Sequence, residues 1–184
     1  MSQPRNAAVA HHEAGHAVVA RLLGAGVREV VLSERNQEQG LSQIQVKGLS
    51  QHAIRQILFA GSLAEIKHLA MAQWGCQATF DLSQLDGLGQ VAYEEDCLEE
   101  CNPSIVFRTG GEQLVPFTPT HGNVFSDFED FCTESRETTS RDDFFRSLCA
   151  VMQRLDDSVV WMHVQVVAKE LLEKGAVMFC ENAG

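Results

Sequence analysis

The stretch HHEAGHAVVARLL, residues 11–23, decides how the rest of the chain is interpreted. It contains the pattern H-E-x-x-H, formed by His12, Glu13 and His16. On a helix, residues four apart lie one turn above each other on the same face, so both imidazoles can reach one ion. The surrounding Ala, Val and Leu residues favour such a helix. The stretch therefore predicts a helix over residues 4–23 that carries two metal ligands.

The three polar residues of this pattern have the chemistry of a catalytic zinc site. Such a site uses three protein ligands and keeps one position open for water. His12 and His16 supply two ligands, and Glu13 is placed to act as the general base on the water. His11 is not expected to be the third ligand, because it points about 100° away from His12 around the helix. The same pattern also arises by chance in helices whose histidines are solvated or packed in the core.

Hydrophobic periodicity predicts the other elements of a single domain, residues 1–184. Ser50 and Gly75 have the residue types that begin and end a long helix. The stretch 102–140 contains three of the four prolines and is interpreted as a long loop or insertion. The fold class is α+β, mostly α-helical with a small β-hairpin. The predicted strands are 27–35 and 41–48, and the predicted helices after them are 51–73, a weak helix from Asp81 toward Glu100, 142–155 and 158–175.

Composition narrows the class of protein. The chain has 184 residues and a net charge of −11, which argues against binding to nucleic acid or to an anionic membrane surface. No apolar run reaches the roughly 18–20 residues of a membrane span, and the N-terminus does not have the pattern of a secretory signal. We therefore expect a cytoplasmic protein whose six cysteines are reduced thiols. Cys97 and Cys101 lie one helical turn apart, so a metal shared by these two thiols is a further alternative.

The opening stretch resembles the peptidase domain of the FtsH-type ATP-dependent zinc metalloproteases, whose motif is H-E-A-G-H-A within an apolar helix. The resemblance continues in the same order along the chain. The similar segments are GVREVVLSERNQEQGLSQIQV (26–46), QILFAGSLAE (56–65), GCQATFDLSQL (75–85) and VVAKELLEKGAV (166–177). The chain departs from the family at two places. In the segment 56–65, Ala60-Gly61 replaces a glycine pair of the family and Ser62 replaces its arginine, and the stretch 102–140 has no counterpart in the family.

The resemblance implies a zincin-like helical peptidase domain with one zinc ion, whose third ligand is Asp81. Spacing alone would make Asp81 a helix N-cap. Glu65 is the competing ligand, or a residue that braces the site from outside. The ligand types suit zinc best, although nickel, cobalt or iron could use the same residues. The other histidines are expected to be surface or hydrogen-bonded core residues: His52, His68, His121 and His163.

The function implied is a zinc-dependent metallopeptidase that hydrolyses peptides or unfolded proteins. No G-x-x-x-x-G-K-[ST] phosphate loop occurs in the sequence, so we expect action on unfolded chains or beside a separate ATPase or partner protein. The hairpin offers an edge strand for an extended peptide, with Ile44 in that strand. Homo-oligomers are also expected, by analogy with the rings of the family. The alternatives are a catalytically silent peptide- or partner-binding relative with a structural or regulatory metal, and a hydrolase of non-peptide amides.

Overall fold

The computed structural model describes residues 3–32, 40–84, 105–110, 113–118 and 139–179. These residues form an α+β fold that is about 61% helical and has two small antiparallel sheets, so the predicted fold class is confirmed at this level. The helices are α1 (Gln3–Leu22), α2 (Gln51–Trp74), α3 (Arg141–Asp156) and α4 (Ser158–Lys174). The strands are β1 (Gly26–Leu32), β2 (Gly40–Gln45), β3 (Ala78–Phe80), β4 (Ile105–Thr109), β5 (Leu114–Phe117) and β6 (Ala176–Met178).

The helix boundaries follow from capping chemistry. The Ser50 side chain accepts a hydrogen bond from the backbone NH of Ala53 at the start of α2. Gly75 ends the same helix in the left-handed conformation, with φ of 65°. Such caps typically contribute about 1 kcal/mol each, because they satisfy backbone groups that the helix leaves open. Both predicted caps of α2 are confirmed, as are the predicted helices that became α1, α3 and α4.

The first sheet has the strand order β2-β1-β6 and contains the predicted hairpin. Val30 lies opposite Ser42 in β2 and opposite Val177 in β6. The stretch NQEQG, residues 36–40, predicts the turn between the two strands; Gly40 is the first residue of β2, and the rest of the turn lies outside the described residues. Because β1 is central, β2 has a paired side facing β1 and a second side that is unpaired within the described sheet.

The second sheet overturns two expectations. The prediction of a helix starting near Asp81 is wrong there, because β3 ends at Phe80 and only a short 3-10 helix, Leu82–Gln84, follows; residues 85–100 are not described. The prediction of a loop over 102–140 is wrong for β4 and β5, which pair with β3 in the order β3-β4-β5. Phe107 of β4 is fully buried, and its ring contacts those of Phe80, Trp74 and Phe117. This aromatic packing stabilises strands in a segment rich in turn residues.

Helix α1 lies at the centre of the fold, against α2 on one side and α4 on the other. Its crossing with α2 is unusually close. A Cβ on Gly15 would lie 2.5 Å from the carbonyl oxygen of Ala60 and 2.6 Å from the Cβ of Ala64. Small residues on both helices therefore bring the histidine pattern of α1 directly against α2. No helix within the described ranges is both long and apolar enough to cross a membrane.

Candidate metal centre

The two histidines of the H-E-x-x-H pattern converge on one point. The Nε2 atoms of His12 and His16 lie 3.2 Å apart, with the ring planes inclined at 79°. Two nitrogen ligands about 2.0–2.1 Å from a tetrahedral zinc ion are separated by about 3.4 Å. The spacing of the two nitrogens is therefore close to that of a chelating pair.

The other nitrogen of each ring is held by an acceptor on α2. Nδ1 of His12 donates to Oε2 of Glu65 at 3.0 Å, and Nδ1 of His16 donates to the carbonyl oxygen of Ile57 at 2.8 Å. A carbonyl oxygen and a carboxylate cannot donate, so the proton of each neutral ring is on Nδ1. Each Nε2 then presents a lone pair toward the other ring. Two imidazoles that ligate one metal ion need this arrangement of lone pairs.

Gly61 of α2 leaves the space beside these two nitrogens open. A Cβ at this position would overlap Nε2 of His16 and would lie 2.8 Å from Nε2 of His12. A glycine inside a helix costs about 1 kcal/mol relative to alanine. A larger residue at position 61 would displace the imidazoles, so glycine is needed there despite this cost.

Glu13 is buried beside the histidines and is held by strand β2. Its Oε2 accepts a hydrogen bond of 2.5 Å from the hydroxyl of Ser42, and a Cβ on Gly40 would overlap its side chain. The backbone of β2 therefore packs directly on the carboxylate of Glu13. A chain lying along β2 would pass close to the residue predicted to be the general base.

Asp81 follows β3, and its two carboxylate oxygens differ in their hydrogen bonds. Its Oδ1 accepts from the backbone NH of Ser83 at 3.0 Å and from the Ser83 hydroxyl at 2.8 Å. Its Oδ2 is buried without a hydrogen-bond partner within the described residues, and lies 3.7 Å from a guanidinium nitrogen of Arg108. The two bonds from Ser83 lower the pKa of Asp81, with Arg108 acting in the same direction. This carboxylate is therefore ionised at neutral pH and has one oxygen available to a cation.

The predicted site residues are brought together only in part. His12, His16 and Glu13 lie together, and Glu65 contacts Nδ1 of His12 rather than the Nε2 atom that faces His16. Within the described ranges, no three His, Cys, Asp or Glu side chains are grouped so that they could hold a metal ion, and Asp81 therefore does not close a three-ligand site with the histidines.

Three residues of this centre were not anticipated from the sequence as parts of it: Gly40, Ser42 and Gly61. Gly61 could have been suspected, because a glycine inside a long predicted helix needs a reason. Gly40 and Ser42 give no signal in the sequence, since glycine and serine are ordinary residues in a hairpin.

The remaining histidines have other roles. His11 stacks on His68 with ring centroids 3.7 Å apart and contacts the carbonyl of Ala7, so it points away from the pair, as expected. His52 bonds the hydroxyl of Ser147, and His163 is exposed. The alternative metal pair of Cys97 and Cys101, together with His121, lies outside the described residues.

Comparisons with known proteins add no assignment to this geometry. No protein-family model matches the sequence, and no curated protein is significantly similar to it.

Proposed function

We propose that the protein is a zinc-dependent metallopeptidase with a zincin-like centre and with His12 and His16 as two ligands. Asp81, which is not grouped with the histidines within the described residues, would become the third ligand by moving toward them when zinc binds. The observation that carries this proposal is the pair of facing Nε2 atoms, 3.2 Å apart, each oriented by a hydrogen bond at Nδ1. Outer hydrogen bonds of this kind are typical of metal-ligating histidines. The buried Oδ2 of Asp81, without a hydrogen-bond partner among the described residues, supports its part as third ligand.

The residues of the chain divide the work of peptide hydrolysis. A bound zinc ion would supply Lewis-acid activation of water and of the scissile carbonyl. Glu13 accepts the proton of the attacking water and returns it to the leaving amine. Ser42 orients the Glu13 carboxylate through the hydrogen bond to Oε2. Glu65 fixes the ring of His12, and the carbonyl of Ile57 fixes the ring of His16.

The substrate in this proposal is an extended, unfolded chain. β2 is an edge strand of the described sheet and packs on Glu13 through Gly40 and Ser42. An extended peptide can add to such an edge through main-chain hydrogen bonds. Leu41 is 61% exposed on the same strand and is available to contact substrate side chains. Leu41→Asp should therefore raise KM with little change in kcat. An unchanged KM would show that β2 does not bind the substrate.

The test of the activity is degradation of an unfolded, fluorescently labelled protein with zinc present, comparing the wild type with Glu13→Gln. We expect cleavage by the wild type and a loss of about 100- to 10,000-fold in the variant, since a general base contributes about that much. Zinc content should be equal in the two proteins, because Glu13 is not a ligand. Equal cleavage by both proteins would refute the role of Glu13.

Cleavage by neither protein would instead favour the alternative function, a peptide- or partner-binding protein with a structural or regulatory metal. In that case Leu41→Asp should still weaken the binding of an unfolded chain. Measuring the binding of an unfolded chain to the wild type and to Leu41→Asp therefore distinguishes an inactive binding protein from a protein that does not use β2.

A further inference from the structure

Helix α4 carries apolar side chains on two opposite faces. The residues of the inner face are buried: Trp161, Val164, Ala168 and Leu171. On the outer face, Val159 is 56% exposed, Met162 is 50% exposed and Val166 is 55% exposed. At about 100° per residue, these three side chains lie within about 60° of arc, opposite the buried face. They form the outer stripe of α4, at a place where a surface helix normally has polar residues.

The other described helices have no such stripe. The neighbouring helix α3 exposes polar side chains, among them Asp142, Arg146 and Gln153. Of the large apolar side chains that are exposed in the described part of the chain, four lie on α4, one on α1 and none on α2 or α3. Isolated exposed apolar residues are normal, whereas adjacent ones on one face mark an interaction surface. The outer stripe is therefore a candidate interface.

The spacing of the outer stripe is complementary to itself. Val159 and Val166 lie at equal distances along the helix from the midpoint between Met162 and His163. A two-fold axis through that midpoint, perpendicular to the helix, would turn a second copy of α4 antiparallel to the first. Val159 of each copy would then lie against Val166 of the other, with Met162 next to the axis. Such a contact is an isologous interface, the kind found in two-fold symmetric dimers.

The charges beyond the outer stripe favour the same antiparallel arrangement. Asp157 lies two residues before Val159, Lys169 lies three residues after Val166, and both are exposed. Antiparallel packing places Asp157 of each copy near Lys169 of the other, whereas parallel packing brings like charges together. Oδ1 of Asp157 alone accepts from the first NH groups of α4, so Oδ2 is not needed for the cap.

We propose that α4 is the interface of a homodimer, in which the outer stripes of two copies of the chain pack antiparallel. A helix of 17 residues is about 25 Å long, so this interface is at the small end of the range for specific complexes. The dimer should therefore dissociate at micromolar concentrations. The inference does not depend on the proposed function, because none of these residues belongs to the proposed metal centre.

Sedimentation equilibrium of the full chain over a range of concentrations tests the interface. Met162→Glu should raise the dissociation constant of the dimer by more than about 100-fold, because two carboxylates would face each other near the axis. Leu172→Glu is the matched control, since Leu172 is also exposed on α4 but lies about 120° around the helix from Val166. The control should dimerise like the wild type. If Met162→Glu does not fold, as judged by thermal unfolding, Val166→Lys takes its place, with the same expected loss.

A second pair of variants tests the antiparallel arrangement. Lys169→Glu should raise the dissociation constant about tenfold, because two attractive contacts with Asp157 become repulsive. Lys174→Glu is its control. Each of the two lysines has a glutamate partner within α4, but Lys174 lies about 140° around the helix from Lys169 and away from the outer stripe. Lys174→Glu should leave the dissociation constant unchanged.

Three results would overturn the proposal. A wild-type chain that stays monomeric at every concentration would show that the outer stripe does not bind a second copy. A Met162→Glu variant that dimerises as tightly as the wild type would place the interface on another face. Equal dissociation constants for Lys169→Glu and Lys174→Glu would contradict the antiparallel arrangement.

Discussion

The histidine pair and Asp81 are placed by different kinds of structure. His12 and His16 lie on one helix, and their relative position follows from four residues of helical rise. Asp81 follows a three-residue strand, and its backbone is fixed by Val106 in another strand and through Phe80 by Asp156 in a distant helix. The first half of the proposed centre is therefore local in sequence, whereas the second depends on tertiary contacts.

Because of this difference, the two parts of the proposed centre should respond differently to changes in packing. The histidines converge with rings held by α2, while Asp81 is paired with Ser83 and Arg108. Changes in packing should disturb Asp81 before they disturb the spacing of the two imidazoles. Substitutions at the histidine pair and at Asp81 should therefore differ in their effects on zinc binding and stability.

The largest effect is expected from replacing Asp81, the proposed third ligand. Asp81→Ala should weaken zinc binding by more than about 100-fold, because losing a ligand costs more than losing a residue that supports one. Glu65→Gln, which keeps a hydrogen-bond acceptor for His12, should cost at most about 10- to 100-fold. Competition with a chromogenic chelator measures both. A larger loss for Glu65→Gln than for Asp81→Ala would make Glu65 the ligand.

The next effect concerns the ion pair of Lys67 and Asp156, beside Asp81. Lys67→Met alone leaves the partly exposed Asp156 with the Phe80 NH but without its cation, so it should lower the free energy of unfolding by about 1–3 kcal/mol. Urea denaturation followed by circular dichroism measures this. Lys67→Met/Asp156→Leu should recover most of the loss. If the double variant is as unstable as the single variant, the pair is a net stabilising contact.

The sequence predicts the features that are local along the chain and misses those that depend on tertiary contacts. The helices and the Ser50 and Gly75 caps were predictable, because helical periodicity and capping are local signals. The strands β4 and β5 were missed, because their turn-rich segment becomes a sheet only by pairing with β3. The contact of Lys67 with Asp156 spans 89 residues, and no local pattern reports a contact of that separation.

A smaller effect tests the helix crossing that supports the histidines. Gly15→Ala should destabilise the protein by about 1–3 kcal/mol, because its methyl group would overlap the carbonyl of Ala60 and the Cβ of Ala64. Gly110→Ala is the matched control, since a Cβ there would meet no atom within 4 Å. It should change stability by less than about 0.5 kcal/mol. Equal effects at both glycines, measured by thermal unfolding, would contradict the close packing of α1 on α2.

A further effect is the pH dependence of stability that His68 confers, where its ring stacks on His11 of α1. Burial, aided by the neighbouring His11, lowers the pKa of His68 from 6.5 to about 4. Between these values the unfolded chain binds a proton that the folded protein does not. Stability should therefore be fully present above pH 6.5 and fall as the pH is lowered toward 4. His68→Gln should flatten this part of the stability profile, and an unchanged slope would show that His68 does not titrate as described.

The most direct test of the metal centre is the zinc stoichiometry of the purified wild-type protein beside His12→Ala, measured by calorimetric titration after chelator treatment. We expect one zinc ion per chain in the wild type and none in the variant, because the proposed site needs the Nε2 atoms of both rings. Wild-type protein that binds no zinc, or a variant that binds it equally well, would contradict the assignment of His12 and His16 as ligands.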